Sequence, residues 1–156
     1  ESTRILAAGA LATQSTYDLL KWDQILLPIT QQFEEALGGT DVPTVAAAVG
    51  ATNYMLTFLG VPEVADIYTS ANAEYRAAID MLGMMDAGDA PLFVRNYDTG
   101  FDDLLNLFLH TGLHALAVMD RADEVGLENV TYVEGAFERN DPSGKKLVPF
   151  LLEHLA

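Results

Sequence analysis

Three times in this chain a glycine is followed within four residues by a proline: Gly39–Pro43 (GTDVP), Gly60–Pro62 (GVP) and Gly88–Pro91 (GDAP). Glycine suits the position just past a helix end, and proline suits the first turn of the next helix. An acidic residue sits at each restart, at Asp41, Glu63 and Asp89. There a carboxylate can accept backbone N–H bonds and complement the helix dipole. The device predicts four helical segments: about Thr3–Leu37, kinked by Pro28 near Leu27, then Thr44–Leu59, Glu63–Asp86 and Pro91–Val125. Short connections favour antiparallel neighbours. The expected fold is therefore mainly α, an antiparallel four-helix bundle over residues 1–126.

After Gly126 the pattern changes. Asn129–Phe137 (NVTYVEGAF) has the β-branched and aromatic content of a strand, Glu138–Lys146 reads as a loop, and Leu147–Leu155 as a short terminal helix. Residues 127–156 form a strand–helix appendage, either part of the same domain or an assembly arm. A lone strand seeks a partner edge, and the helix LVPFLLEHLA has almost no polar face. The expectation is an outward-reaching tail. Its interface comprises Phe150, Leu151, Leu152 and Leu155, with Lys145 and Lys146 on the preceding loop. A chain cut after Gly126 would then keep a folded bundle.

Charge narrows the partners. Eight basic residues stand against 23 acidic ones, a net charge of −15, which argues against nucleic acid phosphates and anionic membrane surfaces. Half the residues are hydrophobic, so the chain can bury a core. Expected partners are another protein with a neutral or basic surface, or further copies of the chain. No cysteine is present, which removes disulfides, thiolate zinc sites, iron–sulfur clusters and cysteine nucleophiles. Val42–Pro62 is uncharged, but its prolines, threonines, Gly50 and Asn53 and its acidic flanks predict a buried helix, not a membrane span. Glu1, without a basic segment behind it, fits a mature or trimmed start.

The strongest chemical signal is NLFLHTGLHALAV (Asn106–Val118), with His110 and His114 four residues apart. On a continuous helical wheel, Phe101, Leu104, Leu105, Phe108, Gly112, Ala115 and Met119 share an apolar arc. The two histidines fall opposite, in a stripe with Asp103 and Arg121. That placement predicts a solvated or interface pair and no cofactor. The alternative is a metal- or haem-binding helical protein or enzyme, in which His110 and His114 ligate together with His154 or a partner chain. Thr111 stands where a zinc hydrolase motif would have glutamate. The acidic pairs Glu34/Glu35, Asp102/Asp103 and Asp86/Asp89 read as caps and solvated faces, and no Glu-x-x-His occurs. Ser2, Ser15, Ser70 and Ser143 lack a GxSxG frame, and SGKK lacks a P-loop frame. The aromatics Tyr54, Phe58, Tyr68, Tyr75, Phe93, Tyr97, Phe101 and Phe108 suit core packing. A pigment- or lipid-binding groove would use the same residues.

The stretch Ala77–Phe108 resembles the last two helices of PsbQ-type extrinsic proteins of photosystem II. It has an Ile79-Asp80-x-Leu82 start, Tyr97 at a similar spacing and a leucine-rich end at Leu104–Leu109. KWDQILLPI (Lys21–Ile29) resembles the Trp-bearing part of that family's first helices. The resemblance implies a non-catalytic accessory subunit of the thylakoid lumen, a four-helix bundle docked peripherally on a photosynthetic membrane complex. The acidity and scarce lysines depart from docking by basic residues, and residues after Gly126 lie outside the resemblance.

Overall fold

A computed structural model describes residues 5–97 and 104–155. Its elements run in the order β1 (Ala8–Leu11), α1 (Trp22–Ile25), α2 (Leu27–Thr30), α3 (Glu34–Leu37), α4 (Val42–Ala48), α5 (Thr52–Leu59), a 3-10 turn at Val64–Tyr68, α6 (Ser70–Ala78) and α7 (Met81–Met84). Then follow β2 (Leu92–Tyr97), α8 (Leu104–His110), α9 (Gly112–Val125), β3 (Asn129–Glu134) and α10 (Leu147–Glu153). The chain forms two compact units, one from Glu1–Ser15 with Met84–Ala156 and one from Thr16–Gly83.

The first unit is built on a sheet of order β1-β2-β3, with both pairings parallel. Side chains alternate across a strand, so Gly9, Leu11, Phe93, Arg95, Tyr97, Val130, Tyr132 and Glu134 share one face. Phe150 of α10 fills this face between Phe93 and Val130, with Ala7, Tyr132, Leu147 and Leu151 packed around them. Leu147 leans over Gly9: a Cβ there would lie 2.5 Å from Leu147 Cδ1, so a larger residue would displace the end of that side chain. On the opposite face, Val94, Asn96, Thr131 and Val133 are all buried. There α9 packs on β2 and β3. Ala115 and Ala122, both 0 % exposed, are small enough to bring that helix close.

The second unit is helical, around Ala46, Ala51, Met55, Leu59 and Ile67. Of the glycine and acidic signals, Gly60 and Asp41 hold locally, whereas Glu63 precedes the 3-10 turn without a side-chain cap and the glycine that closes α3 is Gly38, one residue before Gly39. Gly38 (φ 80°) closes α3 and Gly60 (φ 67°) closes α5, both left-handed. Asp41 caps α4, its side chain accepting from the Thr44 N–H at 3.0 Å. Polar groups tie the entry of this unit to its exit. Arg76 donates to Asp18 at 3.0 Å, Thr16 Oγ1 donates to Asp80 at 2.8 Å, and Lys21 pairs with the same Asp80 carboxylate. Burial pulls the Asp80 pKa upward, but the Lys21, Thr16 and Gly83 hydrogen bonds outweigh it and hold it below the ordinary carboxylate value.

The four-helix bundle does not form: the fold is mixed α/β. Two of the expected helices contain strands. Ala8–Leu11 was hidden in an alanine-rich stretch, and Leu92–Tyr97 follows the third glycine–proline device. There Gly88 N–H bonds Asp86 Oδ1 and Asp86 N–H bonds Asp89 Oδ2, so a closed turn delivers a strand where a helix start was expected. Ala77–Phe108 accordingly contains the end of α6, then α7, β2 and part of α8, not two bundle helices. The segment Val42–Pro62 is broken at Gly50 (φ 71°) into α4 and α5. No described helix is long and apolar enough to cross a membrane.

The tail also differs from expectation. β3 is not lone: it pairs with β2 from Leu92↔Asn129 to Tyr97↔Glu134. Phe150 is 0 % exposed, and Leu151 packs with it on the sheet. Of the expected interface residues, Leu152 and Leu155 do face solvent. Lys145 is held by Glu153 at 2.7 Å, and Lys146 occupies the N-cap of α10. The tail is therefore mostly core of the sheet-bearing unit.

Candidate functional site at the carboxyl end of the sheet

Open parallel sheets place ligands beyond the carboxyl ends of their strands. In this chain that position is occupied by the Ala12–Ser15 turn after β1 and by the junction of α8 and α9. Thr111 makes the junction. Its extended backbone (φ −55°, ψ 149°) stops α8, and its hydroxyl caps the Leu113 N–H of α9 at 3.4 Å. The break leaves the last carbonyls of α8 without their regular intrahelical donors. Side chains from elsewhere take them. His114 Nε2 donates to the Phe108 carbonyl at 2.8 Å, Gln14 Nε2 to the Leu109 carbonyl at 2.9 Å, and Asn96 Nδ2 to the His110 carbonyl at 3.5 Å and the Thr111 carbonyl at 3.1 Å.

Asn96, on β2 and 0 % exposed, is the centre of this arrangement. Its Oδ1 accepts from the Thr13 N–H at 3.1 Å, and its Nδ2 also donates to the Thr13 carbonyl at 2.9 Å. One amide thus fastens the turn after β1 to the break in the helix pair. Nothing in the motif pattern singled it out; Asn96 is a polar residue on the buried face of β2, between the exposed Arg95 and Tyr97.

The two histidines have separate environments, contrary to the solvated pair expected from the wheel. His114 is 0 % exposed. A carbonyl only accepts, so Nε2 carries the proton and Nδ1 is the acceptor. The Ser15 hydroxyl, 2.9 Å away and itself buried, donates to it. Burial pushes the His114 pKa down to about 4; the Phe108 hydrogen bond opposes this and the neighbouring His110 adds to it. His110 is half-buried and donates from Nδ1 to the Ala12 carbonyl at 3.0 Å. Its Nε2 lone pair has no hydrogen-bond partner among the described residues. Asp103, placed in the same stripe by the wheel, lies outside the described residues, as do Phe101 and Asp102.

Chemically, the bonds described here form a hydroxyl–imidazole–carbonyl chain, the Ser15 hydroxyl donating to His114 and His114 donating to the Phe108 carbonyl. Both Ser15 and His114 are sealed from solvent. Among the described residues no three His, Asp or Glu side chains come together to hold a metal ion. The Glu34/Glu35 pair borders an open, polar depression in the helical unit with Gln31, Gln32 and Gly38, and no hydrogen-bonded acid–base pair is found there.

Two predictions arise here. The folded His114 pKa lies below its unfolded value of 6.5, so its contribution to stability is complete above about pH 6.5 and falls away toward pH 4. The full loss is about 3 kcal/mol. Denaturant titrations between about pH 6.5 and 5, above most carboxylate titration, should show the decline beginning in the native chain and absent in His114→Gln. Ala12 sits at φ 52°, a left-handed conformation that costs an L-residue about 1 kcal/mol or more. Ala12→Gly should raise unfolding stability by about 0.5–1 kcal/mol, measured by the same titration.

Compared with known proteins, the chain matches no family model, no curated protein and no solved structure.

Proposed function

We propose that this chain is a non-catalytic binding module that docks on a larger protein assembly. The observation that supports it is the engagement of Asn96, Gln14, Ser15 and His114 in fastening the fold, at the position where an α/β sheet would otherwise present reactive groups. The docking surface is the outer side of α10. Val148 and Leu152, four residues apart, project from one helix face, and Leu155 follows just beyond it; each is at least 60 % exposed. Isolated exposed apolar residues are ordinary, but adjacent ones in a chain of net charge −15 suit a neutral or basic protein surface. The resemblance to PsbQ-type proteins names a photosynthetic membrane complex as one host to test.

Leu152→Glu should change stability by less than about 0.5 kcal/mol and abolish co-purification with the native assembly. Retention of the partner by the variant, with the fold intact, would contradict the docking surface.

A second reading has one observation in its favour. The Ala12 carbonyl fixes the His110 tautomer and, among the described residues, leaves its Nε2 lone pair unclaimed, as in a histidine that ligates metal or haem. An absorbance spectrum and elemental analysis test this. A Soret band or stoichiometric metal lost in His110→Ala but kept in His114→Gln would favour that reading over the first.

A further inference from the structure

The first strand is an unguarded sheet edge. β1 bonds β2 through Ala8, Ala10 and Ala12: Ala8 N–H reaches the Pro91 carbonyl and Ala12 N–H the Arg95 carbonyl, both at 2.9 Å. In a strand, successive residues turn their N–H and C=O to opposite sides. Gly9 and Leu11 therefore direct theirs away from β2, and no described residue pairs with them. Edge strands are ordinarily blunted by charge, proline or a bulge. Here Ile5–Ala12 (ILAAGALA) contains no charged residue and no proline. Ile5, Leu6 and Leu11 are exposed, Leu11 at 57 %.

We propose that this edge joins two copies of the chain, β1 pairing antiparallel with its twin about a twofold axis through Ala10. The register is self-complementary. Gly9 of each copy lies opposite Leu11 of the other, and these are the residues whose backbone groups point outward, so each pair exchanges both hydrogen bonds. Ala10 faces Ala10 as the non-hydrogen-bonded pair. The side chains agree with this register. Gly9 offers no side chain of its own, and Leu147 covers it, so the exposed Leu11 of one copy meets Leu147 of the other. A second copy is the fitting occupant for a further reason: this uncharged stretch brings no like charges together across the strand pair, although the chain carries −15 overall. The result is one continuous sheet across both copies. The proposal goes beyond the docking role of α10 and does not depend on it.

Sedimentation of the full chain at tens of micromolar should show a dimer. Leu11→Lys, which opposes two charges across the axis, should sediment as a monomer with an unchanged circular dichroism spectrum. Leu11→Pro removes only an outward N–H and should do the same should the lysine variant misfold. Because the chain has no cysteine, Ala10→Cys supplies a register test: oxidation should yield a covalent dimer, whereas Ala8→Cys should yield none. A native chain that stays monomeric overturns the proposal. So does a dimer that survives both Leu11 variants, or one that crosslinks through position 8 rather than 10.

Discussion

A chain ending at Gly126 is expected to lose the cooperative unfolding of its sheet-bearing unit, along with the near-ultraviolet circular dichroism of the aromatics packed there. The cut removes β3, the whole parallel partner of β2 from Leu92 to Tyr97. It also removes Val130, Val133 and Phe150, none more than 3 % exposed. Without them Phe93 and Val94 lie open and one edge of β2 has no hydrogen-bond partners. A single side chain gives a graded version of the same test. Phe150→Ala should cost about 3–5 kcal/mol, a large part of the 5–15 kcal/mol or so that holds a domain folded. A truncated chain with an undiminished transition would show that the tail is an appendage after all.

The second large effect is expected at Asn96. Asn96→Ala leaves the half-buried Thr13 N–H and Thr13 carbonyl without the partners they have now, while the Thr111 carbonyl keeps the His114 N–H. Each polar group so orphaned costs about 1–3 kcal/mol, and the two together about 2–4 kcal/mol with partial relaxation. Guanidinium titration measures the loss. Asn96→Asp should be no milder at neutral pH, because it removes the donors and buries a charge. A change under about 1 kcal/mol would mean that the turn after β1 and the helix junction are held by something else.

The features legible in the sequence were those whose causes are local. Gly60 and Asp41 act within a turn of where they stand, so their roles as caps could be read from neighbours. The β-branched and aromatic run at Asn129–Phe137 announces a strand for the same reason, and the strand formed spans Asn129–Glu134. β1 and β2 could not be found this way. Ala8–Leu11 has neither β-branched nor aromatic residues, and its strand identity comes from pairing with Leu92–Arg95, more than eighty residues away. In Leu92–Tyr97 both Phe93 and Val94 are buried, and beyond them the buried residue is the polar Asn96 and an exposed one the aromatic Tyr97, so apolar and polar residues do not alternate cleanly, and Pro91 reads like a helix start. With two strands missed, β3 had no partner in view and the tail seemed to point outward.

The histidine pair failed for a related reason. The wheel assumed one continuous helix through residues 101–119, but Thr111 breaks it and resets the phase. After the break, His114 turns inward to Ser15 and the Phe108 carbonyl, while His110 stays at the rim. Four-residue spacing placed both on one side only in a helix that does not exist. The individual residues were visible; the junction that gives each its surroundings was not.

The polar groups described at the carboxyl end of the sheet are proposed to hold the fold together. The most direct measurement is the state of the His114 ring, followed by long-range proton–nitrogen NMR of the three imidazoles from about pH 8 down to about pH 3.5. The His114 imidazole should carry its proton on Nε2, exchange it slowly with solvent, titrate near pH 4 and be lost from the spectrum of His114→Gln. A His114 ring that exchanges its proton freely and titrates near its ordinary value of 6.5 would contradict this, and would return the histidine to the list of groups free for chemistry.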